Sequence, residues 1–357
     1  MERKKKQNRK KLRTLILVLF LTITMFGTST YAWFTANRNV TINSLDVHVE
    51  ASNGLQISTD ASSWKSVITN ADITEGAYTG NTNMLPANLT AVSTDGAVST
   101  SGANVGRLTM YKSIIDNDAT TGDYTITTQV DTETAGTAGN FIAFDVFLRV
   151  DEDRPIYMTN ASNVIADGTD KGLKNAARVA FVMVGHGEST DTAANLASAQ
   201  YATANMPAKA IIWEPNATTH SALVTSSVAS EYGVTLNDQT TRTTYYGINT
   251  TISNPLFLIP VVNPNKLDDF LPDTTGNATA RAAYTGISAA VTPDIVTATG
   301  DNAYHQAFNL TAGVTKMRIY MWLEGQDIDC ENGATGSDII FNLQFSTDSS
   351  APVPSGG

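Results

Sequence analysis

The sequence predicts an all-β fold, an antiparallel β-sandwich of jelly-roll type with long loop insertions and minor helix. Three observations carry this expectation: abundant threonine, apolar residues that recur every second position, and a near absence of helical periodicity. Thr supplies 45 of the 325 residues from Trp33 onward, and β-branched side chains suit a pleated, half-buried surface. Ile142, Phe144, Val146, Leu148 and Val150 fall on one strand face, with Asp145 and Arg149 on the other. The best helix candidate is the short stretch 191–197 (DTAANLA), with Asp191 as its cap.

The remaining elements follow in chain order. Val40 and Ile42 share one phase, and Leu45, Val47 and Val49 share the other. The switch at Asn43-Ser44 predicts a bulge or two half-strands. Tyr124, Ile126 and Val130 repeat the strand pattern, and the run 179–184 is apolar on both faces, as a central strand would be. Residues 211–213 and 257–262 are short buried runs. Met317, Ile319, Met321 and Leu323 alternate with Arg318, Tyr320, Trp322 and Glu324, and Ile339, Phe341, Leu343 and Phe345 read as the returning arm of a hairpin. The acidic run Asp151-Glu152-Asp153 ends a strand and reads as a guard against edge-to-edge aggregation. Four polar stretches, 69–106, 159–171, 217–244 and 272–302, exceed tight turns and are expected to be surface excursions or small added strands. No repeat of fixed period occurs. One domain, 33–345, is expected, followed by a Ser/Pro/Gly-rich tail, 346–357, of disordered composition. That tail shows no sortase-type motif, apolar anchor or basic stop.

The first 32 residues read as a signal peptide. Eight Lys or Arg and no acid lie between Arg3 and Arg13, an apolar core follows at 15–26 (LILVLFLTITMF), and small residues lead to Ala32. Export machinery reads that order, with the basic end held at the cytoplasmic lipid surface. Thr30, Ala32 and Trp33 mark the cleavage site, with the scissile bond at Ala32–Trp33. The alternative is an uncleaved anchor, because 14–37 carries no charge and is long enough to cross about 30 Å of hydrocarbon. Thr and Gly dilute its second half, which favours cleavage. A secreted, extracellular protein at the cell surface is therefore expected.

Charge narrows the partners. The chain carries 23 basic and 34 acidic residues; removing eight bases and Glu2 with the leader leaves 15 against 33, a net charge of −18. Nucleic-acid binding needs a cationic face to displace counterions, and so it is not expected. Such a charge keeps an exported protein soluble and collects divalent cations. The single cysteine, Cys330, excludes an internal disulfide, so stability must come from a packed core.

Two segments carry a family resemblance. Gly27-Thr28, Tyr31-Ala32-Trp33-Phe34 and then Val40-Thr41-Ile42-Asn43-Ser44-Leu45-Asp46-Val47 resemble the start of TasA/camelysin-like exported proteins of Gram-positive bacteria, which carry a SipW-type signal peptide. The segment 320–330 (YMWLEGQDIDC) is similar to a C-terminal signature of exported proteins with such leaders. Together they span roughly 40 of the 357 residues. The resemblance implies a jelly-roll subunit of an extracellular biofilm-matrix fibre, assembled when one copy's N-terminal strand completes the next copy's sheet. The donor strand would be Val40, Ile42, Leu45, Val47 and Val49. The residues themselves leave a second possibility, an ordinary first strand within its own sandwich.

No catalytic or cofactor-binding constellation is legible, and no enzyme activity is expected. The four histidines, His48, His186, His220 and His305, include no His-Glu-x-x-His pair, so a metallopeptidase label sometimes given to camelysin-type proteins lacks support. No Gly-x-Ser-x-Gly elbow or phosphate loop occurs. Cys330 lies among acids, which disfavours a nucleophilic thiolate. One metal site is suggested: Asp327, Asp329, Glu331 and Asp338, with a turn at Asn332-Gly333, offer oxygen ligands of the kind calcium takes. Gly falls at the seventh place of that loop, not the sixth, and a solvated hairpin loop is the alternative. The expected role is a structural matrix component, a homo-oligomer or fibre contacting matrix or cell-surface components. The runner-up is a surface adhesin for carbohydrate or host protein, with Trp64, Trp213 and Trp322 stacking on sugars.

Overall fold

A computed structural model of the chain describes residues 40–49, 54–117, 124–170, 172–216, 294–297, 305–325 and 338–349. In chain order its elements are β1 (Val40–Val49), β2 (Gln56–Ser58), β3 (Val67–Ile68), α1 (Asn70–Thr74), β4 (Asn88–Leu89), β5 (Ser93–Val98), β6 (Leu108–Asn117), β7 (Tyr124–Val130) and β8 (Ile142–Val150). Then come β9 (Arg154–Met158), β10 (Asn163–Asp167), β11 (Ala177–Gly187), α2 (Ala193–Ser198), β12 (Ile211–Glu214), β13 (Asp294–Thr297), β14 (His305–Leu310), β15 (Gly313–Leu323) and β16 (Asp338–Ser346). The leader, the apolar run 257–262, most of the two later polar stretches and the tail beyond 349 lie outside the described residues. Among the described residues no helix is long and apolar enough to cross a membrane.

The fold is an all-β sandwich, with the periodicity of the sequence as its cause. One sheet has the order β13-β12-β11-β15-β8-β2, and its central strands are antiparallel. The facing sheet has the order β14-β9-β16-β1-β3, with β10 also on β16 and β4 also on β1. The main core lies between them. Ile142, Phe144, Val146, Leu148 and Val150 of β8 and Met317, Ile319, Met321 and Leu323 of β15 meet Ile339, Phe341, Leu343 and Phe345 of β16 there. Each set occupies every second position, so one strand face is wholly apolar. Burying such side chains is worth about 1.5–3 kcal/mol apiece and is the main force holding the two sheets together.

The makeup of a third layer was not legible in the sequence. β5, β6 and β7 form a three-stranded sheet, and Val98, Leu108 and Met110 from it join a second apolar cluster with Ala180, Val182, Ile212, Tyr320 and Trp322. The central sheet is therefore covered on both faces. That is why residues 179–184 are apolar on both faces and why Tyr320 and Trp322 are fully buried.

Several expectations are corrected. β15 and β16 do not form a hairpin: β15 already has β11 and β8 on its two edges, so β16 joins the opposite sheet and meets β15 only through the core. The helix begins one residue later than expected, with Thr192 as cap, whose Oγ1 accepts the Asn195 N–H at 3.3 Å. Asp191 instead accepts the Glu188 N–H at 2.8 Å. The acidic run does follow the end of β8 directly, and there Asp153 accepts the Ala312 N–H at 2.9 Å and Glu152 pairs with Arg154. The sandwich is not purely antiparallel, because β1 runs parallel to β16 and β12 runs parallel to β13.

Candidate functional site

The N-terminal strand is the first candidate. β1 pairs in parallel with β16 from Ile42↔Ile339 to Val49↔Phe345, and the register shifts between Ile42 and Ser44. Its other edge is shared: Val40 and Thr41 pair with β4, and Val47 and His48 pair with β3. The irregularity falls where the apolar phase of the sequence switches, because one extra residue in a strand turns the following side chains to the other face. Val47 and Val49 are buried in the main core. In a single copy, the place beside β16 is thus occupied by the chain's own first strand.

The second candidate was missed by sequence reasoning. Asp145 and Arg149 of β8 and Lys316, Arg318 and Tyr320 of β15 share the face turned away from the main core. Asp145 and Arg318 are direct partners across the two strands. The Arg318 Nη1 donates to Asp145 Oδ1 at 2.7 Å, and its Nη2 and Nε donate to Glu133 Oε2 at 2.6 and 3.0 Å. Nη2 also reaches the Thr82 carbonyl at 2.9 Å. Glu133 further accepts from the Tyr320 hydroxyl and from Arg107. The second Asp145 oxygen accepts the Tyr78 hydroxyl at 2.7 Å and lies 3.5 Å from Lys316 Nζ. Lys316 Nζ in turn donates to the Ala197 carbonyl at 2.6 Å and sits 4.9 Å from the centre of the Tyr78 ring.

Burial and neighbouring charge act against each other in this network. Burial by itself raises the Asp145 carboxyl, but the charges of Arg318 and Lys316 and the hydrogen bond from Tyr78 outweigh it, so Asp145 is held below its usual range. Burial lowers Lys316, and Asp145 only partly restores it. Burial and the Asp145 charge push the Tyr78 hydroxyl up, and burial together with Glu133 pushes Tyr320 up further. Asp145 is thereby favoured as a carboxylate, and both phenols as neutral hydroxyls.

This network floors a cleft of about 450 Å³. The loop 78–82 and the turn at Val105–Arg107 form one wall, and α2 with residues 199 and 200 forms the other. Gly106 has φ +76°, and a Cβ there would stand 3.1 Å from Val184 Cγ1, so any larger residue would strain the turn and crowd Val184. Gly185 lets the chain after α2 pass close over β11: a Cβ there would lie 2.4 Å from the Ala199 carbonyl oxygen. The Tyr201 N–H then donates to the Val184 carbonyl at 2.7 Å.

The other residues singled out in the sequence fall as follows. Asp327, Asp329 and Glu331 lie outside the described residues; Asp338 opens β16, opposite Asp167 of β10. Among the described residues no three His, Cys, Asp or Glu side chains come together as a metal site. Thr30, Ala32 and Trp33 also lie outside the described residues. Trp213 and Trp322 are core residues with no face for a sugar. The Trp64 ring is covered by the Arg149 guanidinium, 4.3 Å from its centre. The expectation of stacking on carbohydrate is thereby corrected for Trp213 and Trp322, and at Trp64 one ring face is taken by Arg149.

Compared with protein-family models, with curated proteins and with solved structures, the chain matches none.

Proposed function

We propose that the chain is a secreted, non-enzymatic structural protein of the extracellular matrix, whose copies assemble by exchanging their first strand. The observation that carries this reading is the placement of β1. Its longest pairing is with β16, almost three hundred residues away in the chain, and its pairings with β3 and β4 are two residues each. Cleavage at Ala32–Trp33 would free its N-terminal end. A strand held in this way can leave its own sheet and enter the same place in a neighbour with every pairing preserved, which is the logic of strand addition and domain swapping. Val47 and Val49 would then bury against Leu343 and Phe345 of the next copy as they do in their own. The resemblance of residues 27–47 to TasA/camelysin-like leaders favours the same conclusion, and calcium held by Asp327, Asp329, Glu331 and Asp338 would offset part of the repulsion between acidic copies.

Electron microscopy of the secreted form, with and without calcium, tests the reading together with N-terminal sequencing. Trp33 as first residue and ordered fibres are expected. An intact Met1 leader retained in the membrane fraction, or dispersed single particles under all conditions, overturns it.

A second reading is a surface adhesin for carbohydrate, favoured by the polar cleft above the Asp145–Arg318 pair. Its volume is within the range of about 300–1,000 Å³ that small-ligand sites occupy.

A further inference from the structure

We infer that the cleft between the loop 78–82 and α2 binds a carboxylate-bearing sugar, a uronic acid unit of an acidic polysaccharide. The inference rests on the adhesin reading and specifies its ligand. The first argument is charge. Around the cleft Arg107, Lys316 and Arg318 face Asp145 and Glu133, three cations against two carboxylates. One positive charge is left over, in a chain whose net charge is −11. A low-dielectric wall focuses that field into the cleft and draws an anion to it.

Two of the cations are reached by solvent, and Arg107 keeps N–H donors beyond those it uses. Lys316 keeps 12 % of its side chain exposed and Arg107 keeps 24 %. An ammonium has three N–H donors and a guanidinium five. Lys316 donates to the Ala197 carbonyl and lies near Asp145, and Arg107 donates to Glu133 and Thr82 Oγ1. The surplus of one charge matches a monoanion. A phosphate monoester, close to a dianion at neutral pH, would meet Asp145 with uncompensated repulsion.

The neutral lining selects the remainder of the ligand. Thr82, Ser198 and Gln200 line the cleft with hydroxyl and amide groups that both donate and accept. That is the chemistry of a polyol. The Tyr78 ring is taken up by Lys316 on one side and by the edge of Phe147, centres 5.7 Å apart, on another. It therefore offers no flat platform for a nucleobase, and the apolar part of the lining is small: Val105, Val184 and three alanines.

The test is isothermal titration of the mature protein with glucuronate, glucose and acetate, repeated with two variants. Arg107→Gln removes one of the two cations nearest solvent. Ala194→Glu, on an exposed position of α2 that lines the cleft, adds a negative charge without touching the buried network. Glucuronate is expected to bind and glucose to bind at least tenfold more weakly, with each variant weakening glucuronate at least tenfold; Ala194→Glu, which touches no member of the network, leaves the melting temperature within a few degrees, so its loss of binding is not a loss of fold. Acetate binding as tightly as glucuronate overturns the inference, because the sugar ring then contributes nothing. Glucose binding as tightly overturns it too, while leaving a neutral-carbohydrate adhesin standing. Absence of heat with all three ligands at millimolar concentration overturns both the inference and the adhesin reading.

Discussion

Arg318 and Asp145 lie directly opposite each other on β15 and β8, joined by a 2.7 Å hydrogen bond in the middle of a sheet covered on both faces. Their side chains are 4 % and 5 % exposed. A charge so deep is tolerated only because each partner is saturated: Arg318 by Asp145, Glu133 and the Thr82 carbonyl, Asp145 by Arg318, Tyr78 and its neighbour Lys316. The pair also ties the loops carrying Thr82 and Glu133 to the central sheet, and so it gives the cleft its floor and one of its walls.

Removing one partner should therefore cost far more than a surface ion pair. Arg318→Met leaves two buried carboxylates without their main donor, a loss on the order of 3–5 kcal/mol. Urea denaturation of the mature protein checks this through the shift of the midpoint at unchanged slope. Lys65→Met, which breaks an exposed pair with Asp72, should shift the midpoint by far less. Equal shifts for the two variants would contradict a buried network.

Acid stability follows from the same pair. Asp145 titrates below its ordinary 3.8 when folded, so between the folded and unfolded values the unfolded chain binds more protons. The stabilisation is complete above pH of about 4 and is lost as the pH falls through the folded value. Arg318→Met removes the largest charge holding Asp145 down, so its acid-unfolding midpoint should move to higher pH, on top of the uniform loss of stability. Tryptophan fluorescence during acid titration reads this directly, since Trp322 and Trp213 are fully buried.

Calcium can be judged by thermal melting. If Asp327, Asp329, Glu331 and Asp338 hold the ion, chelation lowers the melting temperature, because a ligand bound only by the folded state stabilises it by mass action. The double change Asp327→Asn with Asp329→Asn should erase the difference. Identical melting in calcium and chelator would identify the segment as a solvated loop.

What the sequence made legible is what a single strand records about itself. Period-2 alternation at 142–150, 317–323 and 339–345 placed three strands and the face each turns to the main core. What it could not record is which strand lies beside which. Tyr320 and Trp322 alternate with apolar residues in the same way whether their face meets water or a third sheet; the run 179–184, apolar on both faces, did record a covering layer, but not that β5, β6 and β7 supply it. Glu133 sits in the irregular stretch between β7 and β8, where no periodicity marks it. Charged residues inside otherwise apolar strands, Asp145 in IAFDVFLRV and Arg318 in KMRIYMWL, were the one available signal for the buried network. Their pairing, however, depends on register between segments 173 residues apart. The phase switch at Asn43 was local, and the shift of register found there shows it.

The strand-exchange proposal makes its sharpest claim about a shortened chain. A mature form starting at Ser52 lacks β1, leaving the β16 edge unpaired and Leu343 and Phe345 without Val47 and Val49. An unpaired edge beside an apolar face is a template for a new strand. Strand exchange requires that the remaining sandwich survive with its groove open, as it must in the copy that has given its strand away. The shortened form should therefore stay folded by circular dichroism, fail to polymerise alone, and bind a Val40–Glu50 peptide with stoichiometry one. The same peptide added to the full mature protein should occupy growing ends and shorten fibres. If β1 serves only its own sandwich, removing two buried valines worth roughly 1.5–3 kcal/mol each, plus a full row of ladder hydrogen bonds, consumes much of a typical net stability of about 5–15 kcal/mol. The shortened form then unfolds or precipitates without order, and the full mature protein remains a monodisperse monomer by sedimentation at high concentration with calcium present. That second pair of results would end the exchange mechanism, because a strand that cannot be spared by its own copy cannot be lent to another.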